Sequence, residues 1–197
     1  MGERRAGPLG LNVMTRAVFL DRDGVINRAL VRDGRPFAPT TLEEFTILPD
    51  VTEALRVLHD AGFLLVVATN QPDVGRGLLT MDIVEEMHRR LREELPLDDI
   101  KVCYEVEGPH STCYKPKPGM LLEAARERDI DLGQSYMVGD RWRDVGAGRA
   151  AGCFTIFVDR GYDERLTEAP DATCADLLEA TTIILRHAGK EPTTRRA

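Results

Sequence analysis

The stretch Ala17-Val18-Phe19-Leu20-Asp21-Arg22-Asp23-Gly24-Val25-Ile26-Asn27 decides how this chain is read. Four consecutive apolar residues bounded by charge suit a short strand buried on both faces. The run stops in two aspartates one residue apart. In an extended chain, side chains two residues apart point the same way, so Asp21 and Asp23 are expected to face one site. Glycine reaches backbone angles closed to other residues, so at Gly24 the chain can turn away at once. Two carboxylates about 4 Å apart repel by roughly 1 kcal/mol in water and by about 4 kcal/mol near a protein surface. Either a cation sits between them or one carboxyl keeps a proton. Both arrangements serve catalysis, although Asp-x-Asp alone equally fits a solvated turn.

Composition narrows the setting of this stretch. A chain of 197 residues suits one domain with a proper core. Its 43% hydrophobic and 30% charged content is ordinary for a soluble globular protein. A net charge of -7 speaks against nucleic acid or an anionic membrane as partner, since both need clustered Lys and Arg. No apolar run approaches the roughly 18 residues of a membrane span, and the first residues lack a signal-peptide core. Cysteines at 103, 113, 153 and 174 do not form a disulfide framework in a chain this long. The expected compartment is the cytoplasm, and the expected state a monomer or small homo-oligomer.

Working outward, residues 1–15 read as a loose leader and 189–197 as a fraying tail around one domain over 16–188. Asp33-Gly34 with Pro36, Pro39 and Pro49 marks a hairpin or flap between 28 and 50. Asp50 is placed to cap a helix over 51–61, stopped by Gly62. A second buried strand over 63–68 leads to Thr69-Asn70-Gln71, then a loop over 72–77 and a helix over 80–95. A third strand over 100–106, a helix over 118–128, a fourth strand over 135–139, a short helix stopped by Gly152, a fifth strand over 154–158 and a last helix over 174–188 complete the pattern. Strands alternating with helices in this way predict a parallel sheet with helices on both faces. In such sheets ligands bind beyond the carboxyl ends of the strands.

That rule brings separate residues together. Strand one ends in Asp21 and Asp23, strand two in Thr69 and Asn70, and strand four in Gly139-Asp140, with Asp144 just beyond; Lys115 precedes the helix after strand three. Singly, each has a plain explanation as a turn former, a helix cap or a solvated charge. Together they set carboxylates, a hydroxyl and an ammonium on one sheet edge. This set serves phosphoryl transfer through an aspartyl-phosphate. A phosphate dianion repels a carboxylate nucleophile, so a divalent cation must offset both. Mg²⁺ favours oxygen ligands of the kind Asp21 and Asp140 supply. Lys115 and Thr69 offer charge and a donor to the phosphoryl oxygens. One aspartate attacks while the other carries the proton.

Asp-x-Asp-Gly-Val, Thr-Asn at a strand end, Lys before a helix and Gly-Asp-x-x-x-Asp resemble the four motifs of the haloacid dehalogenase superfamily, over about residues 16–160. Asp21-Arg22-Asp23-Gly24-Val25-Ile26-Asn27, Thr69-Asn70-Gln71 and Lys115-Pro116-Lys117-Pro118-Gly119-Met120 resemble its histidinol-phosphate and heptose-bisphosphate phosphatase branch. The resemblance implies a three-layer Rossmann-like fold without a large cap domain. It implies Asp21 as nucleophile, Asp23 as general acid/base, Thr69 and Lys115 on the phosphoryl group, and Asp140 on Mg²⁺ with Asp21 and the Asp23 backbone carbonyl. Asp144 is implied to orient Lys115 or a metal-bound water. Substrate contacts are implied for Asn27, Asn70, Gln71, Tyr114 and Lys115.

Three departures from the branch bear on specificity. Pro72-Asp73 stands where Ser-Gly is frequent, and Tyr114 where heptose-bisphosphate phosphatases typically carry Arg. Of the branch's four-ligand zinc loop only Cys103 and Cys113 are left, with His110 as a possible third ligand, so zinc is not expected and the alternative is two unlinked thiols. With no room for a helical lid, the site is expected to be open, bordered by segments near 32–39, 72–76 and 105–114. The expectation is a Mg²⁺-dependent phosphatase acting on a small phosphorylated sugar, heptose 1,7-bisphosphate first. Histidinol phosphate or another small metabolite is the alternative substrate, and a silent or receiver-like phosphate-binding module the non-enzymatic one.

Overall fold

The computed structural model describes residues 15–190. Strands β1 (Ala17–Leu20), β4 (Leu64–Asn70), β5 (Asp99–Cys103), β6 (Tyr136–Gly139), β7 (Phe154–Val158) and β8 (Ala172–Cys174) form one six-stranded sheet in the order β5-β4-β1-β6-β7-β8. Every pairing within it is parallel. The short strands β2 (Leu30–Arg32) and β3 (Arg35–Phe37) make a separate antiparallel hairpin. Positive φ at both Asp33 and Gly34 is the backbone that a tight two-residue hairpin turn requires.

The fully buried β1 sends alternate residues to the two faces of the sheet. Val18 and Leu20 join one apolar cluster with α1 (Val51–Asp60), α3 (Met81–Glu94) and α6 (Leu177–His187). Ala17 and Phe19 join the other, with α4 (Gly119–Arg128) and the end of α5 (Trp142–Ala151). The result is three layers, helices on both faces of a parallel sheet. From β1 the chain fills one side of the sheet through β4 and β5, then crosses to β6, β7 and β8. That reversal puts a crevice at the carboxyl end of β1, where Asp21 stands.

The structure departs from the elements expected from sequence in several places; Asp50, for one, precedes α1 without a side-chain cap hydrogen bond. The loop expected over 72–77 contains one helical turn, α2 (Pro72–Gly75), begun by the proline whose fixed φ favours that position. An edge strand, β8, follows β7; its three residues carry no periodic signal and are held by pairing with β7. The third strand stops at Cys103 instead of running to 106. The last helix starts at Leu177, because the Asp176 carboxylate accepts from the Glu179 N–H and caps it there. Thr15, expected to be leader, belongs to the fold, donating its N–H to the Asp129 carbonyl and accepting from the Asp131 N–H. The rest of the expected leader, and the tail beyond Lys190, lie outside the described residues.

Candidate active site

The Asp21 N–H donates to the Val138 carbonyl (2.9 Å), so the chain leaves β1 still held against β6. It then closes a tight loop in which Gly24 donates to Asn27, and Ile26 and Asn27 donate to Arg22. Gly24 has φ +99°, and a Cβ there would fall 1.7 Å from Asp140 Oδ2. Only glycine lets the first strand end approach the Asp140 carboxylate this closely.

Carboxylate oxygens of Asp21, Asp140 and Asp144 lie within 4.8 Å of one another, all buried. The Lys115 ammonium reaches Asp21 Oδ1 (2.6 Å), Asp144 Oδ1 (2.5 Å) and the Ala68 carbonyl (2.8 Å). Burial works against the Lys115 charge, but Asp144 and Asp21 beside it hold its pKa above the ordinary lysine value. Burial, and then the charge of Asp144, raise Asp21 to about 6 against the pull of Lys115. Asp140 is pushed well above the carboxylate range, first by burial and then by Asp21 and Asp144. The Tyr162 hydroxyl eases its charge, yet neither Asp140 oxygen is held in a hydrogen bond of good geometry.

An orphaned buried carboxylate is costly, and three carboxylates against one ammonium would leave two negative charges uncompensated if all three ionised. An all-oxygen site with that deficit fits a divalent cation of the Mg²⁺ type. The carboxylates able to hold it are those of Asp21 and Asp140, with Asp144 adjacent. The Asp144 carboxylate accepts from the Arg141 N–H (3.0 Å) as well as pairing with Lys115.

Asp23 points into a different network. Its carboxylate accepts from the buried Arg22 guanidinium (2.9–3.1 Å), from Asn27 Nδ2 (3.0 Å) and from Gln71 Nε2 (2.9 Å). Behind it, His88 Nε2 lies 3.1 Å from Arg22 Nη1. Burial and the Arg22 charge drive the His88 pKa down to about 4, so the imidazole is neutral at physiological pH. Gln71 also donates to the Thr69 hydroxyl (3.0 Å), leaving the hydroxyl proton for a ligand. Asn70 grips the backbone of Lys115 from both sides, accepting from its N–H (3.0 Å) and donating to its carbonyl (3.3 Å).

A cavity of about 640 Å³ opens over Asp21, Asp23, Thr69 and Lys115. The hairpin (Arg35, Phe37), α2 with the residue after it (Pro72, Arg76) and the 105–114 loop (Glu107, Tyr114) border it, the three segments expected from sequence. Asn70 and Tyr114 line it. Asn27 and Gln71 do not; both are buried and direct their amides at Asp23 and its neighbours. Sequence reasoning missed Arg141 and Arg143 at the start of α5, which also line the cavity. It missed His88 too, for which the one signal was a histidine on the apolar stripe of α3 formed by Val84, Met87 and Leu91.

The cysteine expectation needs correction. Cys103 and Cys113 are joined in a disulfide and are not the unlinked thiols of that expectation. His110 is exposed and stands apart from the group that Glu105 forms with the two sulfurs. The bridge closes the 104–112 loop, which Lys117 also secures by donating to the carbonyls of Gly108 (2.9 Å), Pro109 (3.1 Å) and Ser111. Cys153 and Cys174 are free and buried. We therefore expect protein denatured without reductant to titrate two thiols per chain, and four after reduction. Four before reduction would show that the bridge does not form.

Sheet and site define a class, α/β proteins that handle phosphoryl groups with carboxylates at the end of a central strand. A family model described as HAD-hyrolase-like matches residues 112–180. A D-glycero-D-manno-heptose-1,7-bisphosphate 7-phosphatase of Thermosynechococcus vestitus is 36% identical over 194 residues, spanning 87% of this chain and 96% of its own. A D-glycero-beta-D-manno-heptose-1,7-bisphosphate 7-phosphatase of Pseudomonas aeruginosa is 37% identical over 163 residues, spanning 80% and 89%. Among solved structures, the D,D-heptose 1,7-bisphosphate phosphatase of B. bronchiseptica, complexed with magnesium and phosphate, superposes with a TM-score of 0.75 at 30% identity, covering 88% of this chain and all of that one. The chain belongs to the haloacid dehalogenase superfamily, in its heptose-bisphosphate phosphatase branch.

Proposed function

We propose that this protein is a Mg²⁺-dependent phosphatase that removes the 7-phosphate of D-glycero-D-manno-heptose 1,7-bisphosphate through an aspartyl-phosphate on Asp21. The observation that carries the reading is the buried cluster of Asp21, Asp140 and Asp144 around Lys115 at the floor of a metabolite-sized cavity. Cavities of roughly 300–1,000 Å³ are typical of small-molecule sites. The relatives' shared name supplies the sugar.

In this reading an Asp21 oxygen attacks phosphorus, and the bond from phosphorus to the sugar oxygen breaks. Asp23 gives its proton to the leaving oxygen. It then takes one from the water that attacks the aspartyl-phosphate, releasing inorganic phosphate and restoring Asp21. Arg22, Asn27 and Gln71 fix the Asp23 carboxyl for both transfers. Lys115 and the free hydroxyl proton of Thr69 stabilise charge on the phosphoryl oxygens. Asp21, Asp140 and the Asp23 carbonyl would hold Mg²⁺, which would offset the repulsion between nucleophile and phosphate. No helix of the described residues is long and apolar enough to cross a membrane.

Phosphate release from heptose 1,7-bisphosphate, histidinol phosphate and nucleoside monophosphates, with Mg²⁺ present, tests the substrate. The heptose bisphosphate is expected to give the highest kcat/KM, with the sugar 1-phosphate as product. Preference for the amino-alcohol phosphate or a nucleotide would overturn the sugar assignment.

A further inference from the structure

The cavity carries more positive charge than one phosphoryl group needs, and its cations differ in how far they are committed. Arg141 forks onto Glu164 through Nε (2.8 Å) and Nη2 (2.5 Å). Arg76 pairs with Asp73, both well exposed. Arg32 and Arg35 stand exposed on the hairpin. Lys115 is held by two carboxylates of the reacting centre. Arg143 differs from all of these. Its guanidinium lies over the Trp142 ring (4.6 Å to the centroid) and the Tyr114 ring (5.5 Å), two aromatic faces that fix its plane. One terminal nitrogen donates to Glu107 Oε2 (2.6 Å), while Nε is buried without a partner. The Arg143 side chain is 21% exposed and that of Glu107 54%. A half-satisfied, oriented guanidinium at the wall of a cavity is a fork prepared for a planar or tetrahedral oxyanion.

Its neighbours connect it to the chemistry. Tyr114, under the guanidinium, precedes Lys115; Asp144, the next residue after Arg143, pairs with the Lys115 ammonium. We propose that Arg143 anchors the substrate's second phosphate, the one that is not cleaved, and that Glu107 is the resting counter-ion which this phosphate displaces. The inference rests on the phosphatase reading above and deepens it, since it assigns the preference for a bisphosphate to a side chain from α5. Arg143 accordingly acts on specificity and takes no part in the bond-breaking step.

The test compares heptose 1,7-bisphosphate with the same sugar bearing a phosphate only at position 7. Wild-type protein is expected to favour the bisphosphate in kcat/KM. Arg143→Gln should lower that ratio tenfold or more, through the KM of the bisphosphate. Arg143→Lys, which keeps charge but not the fork, should recover only part of it. Glu107→Gln should lower the bisphosphate KM, because the guanidinium is no longer shared; an unchanged or raised KM would overturn the displacement of Glu107. Equal losses on both sugars in Arg143→Gln would mean contact with the reacting phosphate or a structural role, and would overturn the anchor. So would a ratio that survives the substitution. A wild-type protein that cleaves both sugars without discrimination defeats the anchor alone. One that cleaves neither defeats the function reading, and the anchor with it.

Discussion

Asp21→Asn is expected to lower kcat by about 10⁴-fold or more, the scale on which removing a nucleophile acts. An amide nitrogen or oxygen at this position is a poor nucleophile and forms no stable acyl-phosphate. The fold should survive, for a physical reason visible in the site. Asp21 sits among like charges, its pKa raised to about 6 by burial and by Asp144, so the amide removes repulsion at the same time as it loses the Lys115 pair. Thermal unfolding of the variant should stay within a few degrees of the parent. A folded Asp21→Asn sample with a rate within tenfold of wild type would remove Asp21 from the nucleophile's role.

Metal removal is the second large effect. Excess chelator should silence the enzyme, Mg²⁺ should restore it, and Ca²⁺ should not, since Ca²⁺ takes more ligands at longer distances. The same site gives a readout without turnover. A ligand at about 100 times its Kd stabilises the folded state by about 2.7 kcal/mol, which for a chain of this size is roughly 5–10 °C in Tm. Saturating Mg²⁺ should raise the wild-type Tm on that scale and leave Asp140→Asn nearly unmoved, because the variant lacks the carboxylate that has no other partner. Without metal, Asp140→Asn should be at least as stable as wild type, since it relieves the burial of an unpaired charge. Activity in excess chelator, or an equal Mg²⁺ shift in Asp140→Asn, would defeat the assignment of this site.

Much of this protein is legible in its sequence. The buried run 17–20 ending in Asp21 and Asp23, the strand end at Thr69 and the Gly139-Asp140 turn follow from patterns that are local: apolar runs, turn residues and alternation. The parallel sheet follows from the spacing of those runs, and the site from the rule that strand ends converge. Even the hairpin is written locally, in Asp33-Gly34. What the sequence by itself could not determine is which partner each buried polar group finds. Asn27 and Gln71 resemble substrate contacts, but folding turns both inward onto Asp23. His88 lies against Arg22 from 66 residues away. Cys103 and Cys113 read as separate thiols until the end of β5 and the start of the motif loop bring their Cα atoms to 5.5 Å. Tyr114 and Trp142 come together on Arg143 only in the folded chain. The division has one cause. Hydrophobic periodicity and turn chemistry are set by neighbours in sequence, whereas the partner a buried polar group finds depends on which distant segment packing brings within hydrogen-bond reach.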